Sequence, residues 1–327
     1  MYLVTGGAGF IGSNVVASLN EAGRPDIAVS DSLGGDGKWR NLGSRQLADF
    51  VPPGELMRWL DGRKLDAVVH LGAISSTTAT DADAVIENNF RLSLRLFDWC
   101  AAHRTPFIYA SSAATYGDGS QGFSDECSLA ALKRLKPMNL YGWSKHLFDL
   151  VVLDRVTRRD KNLPPQWAGL KFFNVYGPNE YHKGEMMSLV AKRFDDAKAG
   201  KPVRLFKSHR PGIADGEQKR DFIYVEDAVA VVRWLLKTPA VCGLFNVGTG
   251  KPRSFRDLIS AMFAALGRGP AIEYIDMPAA IRDSYQYFTA AETDNLRRAG
   301  YNADFTTLED AVRRYVTQYL DRPDRYR

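Results

Sequence analysis

The sequence is poor in cysteine, and this limits the chemistry that it can support. Three cysteines, Cys100, Cys127 and Cys242, occur in 327 residues, and no CxxC pair is present. The count is odd and the spacings are wide, so neither a disulfide framework nor a zinc site is expected. We therefore expect a protein of the reducing cytoplasm that binds no metal.

Long apolar runs are missing as well. The apolar stretch 228–236 is interrupted by Arg233 and is too short to cross a bilayer. No charged segment followed by an apolar one precedes Tyr2, so we expect no signal peptide. There is no internal repeat, low-complexity tract or flexible linker. A membrane partner is therefore not expected.

The charge balance is only mildly basic. The sequence has 43 Lys and Arg against 38 Asp and Glu, a formal net charge of +5, and the basic residues are spread out. This pattern favours a solvated surface with a pocket for an anionic ligand over nucleic-acid binding. The length fits one large domain, or a domain with a smaller lobe.

Short apolar runs alternate with helical patterns through the first half of the chain. Strands are predicted at 2–5, 27–31, 66–71, 106–110 and 168–173, with helices at 11–22 and 84–102 and from about Tyr141. This alternation predicts an α/β fold, a Rossmann-type doubly wound parallel sheet. The second half is less regular: it predicts strands at 204–206, 222–225 and 244–247, helices at 185–199, 255–266 and 308–320, and a loop at 207–219. We assign 1–172 and about 221–247 to the sheet domain, and 173–220 and 248–327 to a smaller mixed α/β lobe.

A glycine-rich segment, GGAGFIG, follows the first strand and opens the first helix. Gly6, Gly9 and Gly12 are spaced as GxxGxxG. Glycine permits a tight turn and lets backbone amides approach a pyrophosphate at the helix N-terminus. The segment therefore predicts a dinucleotide site; the alternative is a tight turn that binds nothing.

Charged residues after the second strand bear on the choice of dinucleotide. Asp31 ends that strand, where an acidic residue holds the adenosine ribose 2′-hydroxyl and favours NAD. Lys38 and Arg40 follow in the loop SLGGDGKWR and could instead hold a 2′-phosphate. Both remain open, and each side chain could also be an ordinary surface charge.

Two further segments carry groups suited to acid–base chemistry. In YGWSK, Tyr141 and Lys145 are four residues apart and share one helix face. The ammonium is expected to lower the pKa of the phenol from its usual value of about 10. Ser112 follows the strand PFIYA at the ligand-facing end of a parallel sheet. The alternatives are a solvated helix face for the pair and a turn or N-cap hydroxyl for the serine.

Together these segments resemble the extended short-chain dehydrogenase/reductase family, the NAD-dependent epimerases and dehydratases of nucleotide sugars. The resemblance runs over most of the chain and includes the glycine segment, HLGA from His70, the pair Asn88–Asn89, the serine segment, YGWSK and FNVYGP from Phe173. It implies that the sheet domain binds the cofactor and the smaller lobe the nucleotide sugar. The family's Ser–Tyr–Lys triad corresponds to Ser112, Tyr141 and Lys145.

Four stretches resemble more closely the branch that epimerises ADP-heptose at C6: SSAATYG, FFNVYGPNEYHKGEM, KRDFIYVEDA and SYQYFTAAETDNLRRAGY. In that branch a lysine at the position of Lys183 is a second acid/base opposite the tyrosine. The resemblance implies conversion of ADP-D-glycero-D-manno-heptose to its L-glycero epimer through a transient 6-ketone, with bound NADP, for the lipopolysaccharide inner core. The alternative for Lys183 is a loop cation paired with a phosphate or with solvent.

The resemblance also implies binding residues and an assembly. The cofactor residues are Gly6, Gly9, Phe10, Ile11, Gly12, Asp31, Ser32, Lys38, Leu71, Gly72, Ala73, Ile74, Ser75, Asn88, Lys145, Val175 and Lys183. The substrate residues are Asn174, Glu185, Lys192, Phe206, Arg220 and Tyr285. Arg220 would clamp the diphosphate; its alternative is an ion pair with Asp221 or Glu217. NADP is implied as the cofactor, with NAD possible, and a homo-oligomer, a pentamer, as the assembly.

Other functions remain open on the same scaffold. Another nucleotide-sugar epimerase, such as a UDP-glucose 4-epimerase, would share the triad but lack the HKG segment. A 4,6-dehydratase is disfavoured because Ala113-Ala114-Thr115 stands where those enzymes have an Asp-Glu pair. A non-catalytic NADP-binding sensor or scaffold is the alternative from a different class.

Overall fold

The computed structural model describes residues 1–282 and 285–327. The strands are β1 (Tyr2–Thr5), β2 (Ile27–Ser30), β3 (Asp49–Val51), β4 (Ala67–His70), β5 (Phe107–Ser112), β6 (Trp167–Phe172), β7 (Asn174–Tyr176), β8 (Val203–Phe206), β9 (Lys219–Arg220), β10 (Phe222–Tyr224), β11 (Gly243–Val247), β12 (Arg253–Ser254) and β13 (Ile272–Ile275).

Helices connect these strands. The α-helices are α1 (Phe10–Glu21), α2 (Leu56–Trp59), α3 (Ala82–Ile86), α4 (Leu92–Ala102), α5 (Leu129–Leu132), α6 (Leu140–Thr157), α7 (Leu189–Lys198), α8 (Val225–Lys237), α9 (Phe255–Ala265), α10 (Ala279–Arg282), α11 (Asp294–Arg298) and α12 (Leu308–Tyr315). Short 3₁₀ segments are Lys38–Leu42, Pro53–Glu55, Ala113–Tyr116 and Tyr181–Met186, and π-helical turns are Glu87–Arg91 and Val316–Leu320.

The central sheet is parallel and covered on both faces. Among the described residues it pairs seven strands in the order β11-β6-β5-β4-β1-β2-β3. Neighbouring side chains on one strand enter different cores: Val4 and Val69 pack on the side of α1 and α8, and Leu3 and Val68 on the side of α4 and α6. Burial on both faces explains why these strands are continuous apolar runs. The predicted Rossmann-type α/β fold is confirmed.

The strand order reverses beside β1, and this reversal positions the site. Strand β1 pairs with β2 on one side and with β4 on the other. The loops that leave β1 and β4 therefore diverge, and a crevice opens at their carboxyl ends. Gly6 lies at the bottom of this crevice, with a φ of 65° and its amide donated to the Ser30 carbonyl at 2.8 Å.

Smaller sheets lie outside the central one. Strand β7 pairs with β10 and β8 with β13, both parallel, and β9 pairs with β12 antiparallel. Strand β11 returns to the central sheet beside β6. We propose that these sheets belong to the two lobes predicted from the sequence, the sheet domain and the smaller mixed α/β lobe. Within the described chain, no helix has both the length and the apolarity needed to cross a bilayer.

One predicted helix begins later than expected. The sequence pattern predicts a helix over 185–199, but α7 begins at Leu189, where the Ser188 hydroxyl accepts the Ala191 amide at 3.3 Å. The preceding residues form a 3₁₀ segment that is broken at Gly184, where φ is 53°. A serine cap and a left-handed glycine together separate the two segments.

A buried ion pair joins α6 to the sheet. The Lys171 ammonium on β6 lies 2.9 Å from the Asp149 carboxylate on α6, and both side chains are inaccessible to solvent. Tyr109 and Ser111 donate to the same carboxylate at 3.0 and 2.6 Å, and Lys171 also donates to the Thr115 hydroxyl at 2.7 Å. The charges are therefore fully partnered, which a buried pair requires.

Removing one partner of this pair should be costly. We expect Lys171→Met to lower the free energy of unfolding by about 3–5 kcal/mol, because it leaves the Asp149 carboxylate buried without its cation. Chemical denaturation measures the loss. The matched control is Lys198→Met, whose partner Asp321 lies on the exposed surface; it should unfold near the wild-type midpoint. Equal midpoints for the two variants would contradict the expectation.

Candidate active site

A cleft of about 890 Å³ lies at the carboxyl ends of the central strands. It is lined by residues from both halves of the sequence. The predicted residues that line it are Gly6, Gly9, Phe10, Ile11, Gly12, Asp31, Lys38, Leu71, Gly72, Ala73, Ser75, Ser112, Tyr141, Lys145, Asn174, Val175 and Lys183. The predicted residues outside this lining are Ser32, Ile74, Asn88, Glu185, Lys192, Phe206, Arg220 and Tyr285.

The glycine segment is packed too closely for side chains. A Cβ on Gly12 would overlap the carbonyl oxygen of Gly6, and a Cβ on Gly6 would lie 2.6 Å from the Gly72 nitrogen. Gly9 is the N-cap of α1 and has no side chain to accept the first amides of the helix. These amides thus remain available to an anion at the helix N-terminus.

Hydrogen bonds and an ion pair from neighbouring residues hold the Asp31 carboxylate at the far end of the cleft. The buried carboxylate accepts the Ala8 amide at 2.9 Å and the Ser32 amide at 2.7 Å. The Lys38 ammonium lies 2.6 Å from it and also donates to the Ser32 carbonyl at 3.1 Å. Arg40 does not line the cleft. The structure therefore brings Asp31 and Lys38 together and leaves Arg40 outside.

A buried polar chain fixes the loop after β4. Thr5 Oγ1 lies 2.6 Å from His70 Nδ1, and His70 Nε2 lies 2.8 Å from Ser93 Oγ. Burial lowers the pKa of His70 to about 3, with a further contribution from the Lys145 charge. The imidazole is therefore neutral, which suits a structural hydrogen-bonding role.

Asn89, the second asparagine of the pair 88–89, fixes the loop after β4 through hydrogen bonds to Ile74. Asn89 is buried and bonds both the amide and the carbonyl of Ile74, at 2.8 and 3.0 Å. It also donates to Ser144 on α6 at 3.0 Å. Asn88 lies outside the lining and donates its side-chain amide to Asn89 at 3.0 Å. The resemblance includes both asparagines but implies a cofactor role only for Asn88, because adjacent identical residues give no clue to which one is buried.

Helix α6 delivers Tyr141 to the serine segment. The helix begins behind Asn139, whose side chain accepts the Gly142 amide at 2.8 Å. A Cβ on Gly142 would lie 2.6 Å from the Ala114 carbonyl oxygen, so glycine is needed for this close approach. Ser112 ends β5, and its hydroxyl accepts the Ala114 amide at 3.1 Å. The N-cap role foreseen as an alternative for Ser112 is thus present together with a position in the cleft.

The electrostatics of the pair differ from the sequence expectation. Burial lowers the pKa of Lys145 to about 8, although Asp149 opposes the shift. Burial raises the pKa of Tyr141, and a hydrogen bond from Ser112 offsets only part of this rise. The sequence predicts that Lys145 lowers the pKa of Tyr141. For the protein chain alone this prediction is wrong, since desolvation of the phenolate outweighs the effect of the nearby groups.

Lys183 reaches the same cleft from the 3₁₀ segment Tyr181–Met186. Its ammonium lies 5.1 Å from the centre of the Phe10 ring, at the start of α1. Burial lowers the pKa of Lys183, and the charge of Glu180 partly restores it. Lys183 and Tyr141 both line the cleft, together with Lys145. The amine is therefore held at the site and not in bulk solvent.

Three predicted substrate residues form a cluster beside the cleft. The buried Arg220 guanidinium lies 5.2 Å from the ring of Tyr285 and 5.6 Å from that of Phe255. Tyr285 packs edge-on against Phe206, with ring centres 6.3 Å apart. A cation buried among aromatic rings is suited to an anionic ligand that supplies the missing charge.

The ion pairs proposed as alternatives for Arg220 do not occur among the described residues. Asp221 accepts the amides of Thr249 and Gly250, at 2.7 and 2.8 Å. Glu217 lies 3.4 Å from Arg256 instead. Within 1–282 and 285–327, no carboxylate is within ion-pair distance of the Arg220 guanidinium.

Glu185 and Lys192 are not among the residues that line the cleft, although Met186 is. Their side chains form an ion pair of 2.9 Å, in which Glu185 is almost fully exposed. The structure therefore does not bring these two predicted substrate residues to the other members of the site.

Several polar residues of the cleft were not singled out from the sequence. They are Ser76, Thr77, Thr78, Asn139, His182, Gln286 and Thr289. Gln286 donates to the Gly117 carbonyl at 3.0 Å, next to the serine segment. The family resemblance covers Gln286 and Thr289, but a local pattern gives no means of choosing them. In the part of the chain that the structure describes, no cluster of His, Cys, Asp or Glu is arranged to hold a metal ion.

A Rossmann-type sheet with a glycine segment and Ser112, Tyr141 and Lys145 at one cleft defines a class of dinucleotide-dependent enzymes. The sequence model of the NAD dependent epimerase/dehydratase family matches residues 2–248, and the chain belongs to this family. The family membership predicted from the motifs is thereby confirmed.

Comparison with individual proteins gives more specific similarities than the family match. The chain is 53% identical over 328 residues to ADP-L-glycero-D-manno-heptose-6-epimerase of Nitratidesulfovibrio vulgaris (strain DP4), covering 99% of both. The crystal structure of the Helicobacter pylori enzyme of the same name superposes with a TM-score of 0.79 at 28% identity, covering 97% of this chain and 95% of that one. The Thermus thermophilus UDP-glucose 4-epimerase complex with NAD has a TM-score of 0.74 at 26% identity, with 96% and 97% covered.

Proposed function

We propose that this chain is an epimerase that converts ADP-D-glycero-D-manno-heptose to ADP-L-glycero-D-manno-heptose by inverting C6. The observation that carries the proposal is that Tyr141 and Lys183, from different lobes, line one cleft with the glycine segment. Full-length identity of 53% to a protein with the matching name supports the choice of sugar. The product would serve as a precursor of the lipopolysaccharide inner core.

The glycine segment fits the pyrophosphate of a nicotinamide dinucleotide. The family is NAD dependent, and Gly6 and Gly12 let the turn pack closely enough to leave the first amides of α1 open to a pyrophosphate. Held at the glycine segment and Lys145, a bound nicotinamide would supply reversible hydride transfer at C6, the chemistry that inversion through a 6-ketone requires. The chain's own task is to bind, orient and exchange protons.

The pKa values of Tyr141 and Lys183 are shifted in opposite directions. Burial raises the pKa of the phenol and lowers that of the amine. At neutral pH this favours a proton donor on Tyr141 and shifts Lys183 toward a proton acceptor, a pairing suited to acid–base catalysis. Each group would handle the 6-oxygen of one epimer. Ser112 would donate to that oxygen, and the Lys145 charge would support the phenolate form of Tyr141.

Arg220 supplies the charge for the substrate's diphosphate. Its buried guanidinium among aromatic rings has the forked geometry that binds phosphate oxygens in pairs. Tyr285 and Phe206 would pack beside the nucleotide, and Asn174 would face the sugar. The roles of Glu185 and Lys192 stay predictions from the family resemblance.

NADP is the dinucleotide that we propose, with NAD as the alternative. Lys38 neutralises Asp31 at 2.6 Å. An unpartnered carboxylate there would repel a 2′-phosphate, whereas a lysine on the carboxylate can also reach the phosphate. The pair thus favours NADP although an aspartate ends β2.

Lys38→Met tests this preference. A charge-assisted hydrogen bond contributes about 1.5–3 kcal/mol, so the Kd for NADP should rise about 10- to 100-fold while the Kd for NAD changes little. Fluorescence titration of cofactor-free protein measures both constants. Arg40→Met is the control, because Arg40 lies outside the cleft and should leave both nearly unchanged. Equal losses for NAD and NADP in Lys38→Met would contradict the proposal.

Incubation with substrate tests the function itself. Purified protein mixed with ADP-D-glycero-D-manno-heptose should give a mixture of both C6 epimers, read by NMR. A parallel incubation with UDP-glucose should leave that sugar unchanged. Turnover of UDP-glucose with no change in ADP-heptose would replace the proposal by a 4-epimerase, and inertness toward both would favour a non-catalytic role.

We also propose a cytoplasmic location and a homo-oligomer, a pentamer, from the family resemblance. Analytical ultracentrifugation of the full chain measures the assembly. A monomer at micromolar concentration would contradict it.

A further inference from the structure

The segment 177–188, here called the lysine loop, carries Lys183 and is closed by one buried carboxylate. Glu180 is inaccessible to solvent. At one end of the loop it accepts the Gly177 amide at 3.3 Å, and at the other the Ser188 amide and hydroxyl at 2.6 and 2.7 Å. The Tyr315 hydroxyl on α12 donates to it at 3.1 Å. A carboxylate that only accepts hydrogen bonds matches this set of donors in its ionised form.

The lysine loop is also fixed to α1, the helix that follows the glycine segment. Asn14 on α1 donates to the Pro178 carbonyl at 2.9 Å, and Asn179 donates to the Ser13 hydroxyl at 3.0 Å. Both contacts are buried and link residues more than 150 positions apart. The base of the lysine loop therefore has a defined position relative to the glycine segment.

Glu180 and Lys183 lie on one turn of the lysine loop. The Lys183 amide donates to the Glu180 carbonyl at 3.0 Å, which places the two residues on one turn. Burial raises the pKa of Glu180, and the Lys183 charge lowers it; in return, Glu180 raises the pKa of Lys183. Within the described chain, Tyr176, Tyr181 and Tyr315 also interact with this carboxylate, and their pKa values are all raised, so they remain neutral. Beside Lys183 in the cleft, burial lowers the pKa of His182, with a smaller contribution from the Lys183 charge.

We propose that Glu180 is a positioning residue for Lys183: its carboxylate ties the two ends of the lysine loop and places a buried negative charge on the same turn as Lys183. The inference rests on the proposed function, in which Lys183 exchanges a proton with the 6-oxygen. Glu180 does not line the cleft and so acts through Lys183.

Glu180→Gln keeps the size of the side chain and removes the charge. We expect kcat for ADP-heptose to fall about 10- to 100-fold through misplacement of Lys183, with KM and bound cofactor nearly unchanged. The limb of the kcat–pH profile that reports Lys183 should move to lower pH, because the amine loses the charge that raises its pKa. Tyr315→Phe is the control: it removes one donor, keeps the charge and should leave the limb in place.

A double-mutant cycle distinguishes action through Lys183 from a general structural role. In a Lys183→Met background, Glu180→Gln should cause little further loss, because the group it positions is gone. The same fold loss in both backgrounds would overturn the proposal, and so would an unmoved pH limb. If Glu180→Gln does not fold, Ser188→Ala weakens the tie while keeping the carboxylate; it should lower kcat, again only when Lys183 is present.

A measurement without turnover keeps this inference separate from the proposed function. The pH dependence of Lys183 acylation, read by peptide mass spectrometry on the holoenzyme, gives the titration of its amine directly. The titration should shift to lower pH in Glu180→Gln and stay in place in Tyr315→Phe. An unshifted titration overturns the role of Glu180 even if the enzyme epimerises ADP-heptose. A shifted titration in a protein inactive on ADP-heptose overturns only the proposed function.

Discussion

Tyr141→Phe is expected to lower kcat for epimerisation by about 10²–10⁴-fold, the usual contribution of a general acid or base. The substitution removes only the phenolic oxygen. The glycine segment and Lys145, which we expect to hold the cofactor, are untouched. The purified variant should therefore retain its nicotinamide, seen by absorbance and fluorescence, while losing turnover.

The control for this variant is Tyr319→Phe, a tyrosine outside the cleft whose hydroxyl makes only a long contact of 3.4 Å with Glu226. It should turn over at nearly the wild-type rate. If Tyr141→Phe also retained near-normal kcat, Tyr141 would have no part in proton transfer. Loss of cofactor together with activity would instead indicate a structural role.

Lys183→Met should cause a loss of comparable size, about 10²–10⁴-fold in kcat. In the proposed mechanism inversion presents the 6-oxygen in two orientations, and a single tyrosine would serve both only if the ketone rotated further. The apolar stem of methionine can still pack near Phe10, so folding and cofactor retention should persist. NMR progress curves for both epimers, with Lys198→Met as the surface control, measure the effect.

The competing account assigns all proton transfer to Ser112, Tyr141 and Lys145. It expects Lys183→Met to raise KM with kcat almost intact, as for a lysine that only binds a phosphate. A change confined to KM would therefore contradict a catalytic role for Lys183. The position of the ammonium 5.1 Å from the Phe10 ring, inside the cleft, is the structural reason for expecting a kcat effect.

Features set by local sequence were predictable. The strand β1, the glycine segment and α1 are contiguous, and Gly6 and Gly12 are required by close backbone approaches that their spacing encodes. The i, i+4 pair of Tyr141 and Lys145 follows from helix geometry alone. These elements lie where the sequence predicts them.

Features that depend on tertiary packing were not predictable from the sequence. The pKa of Tyr141 depends on burial, which the YGWSK segment does not encode, and its direction was mispredicted. The pair of Asp149 and Lys171 joins a helix to a strand, and no motif links the two positions. The Glu180 carboxylate that ties the lysine loop also accepts from the Tyr315 hydroxyl, a donor 135 residues away that no local pattern links to it.

The most direct test of the account follows the hydrogen on C6. ADP-D-glycero-D-manno-heptose deuterated at C6 is incubated with the enzyme in ordinary water, and the L-glycero product is examined by NMR and mass spectrometry. Removal and return of the same hydride predicts inverted C6 with the deuterium retained. Inverted product carrying hydrogen from water at C6, or a sugar left unchanged, would contradict epimerisation through a transient 6-ketone.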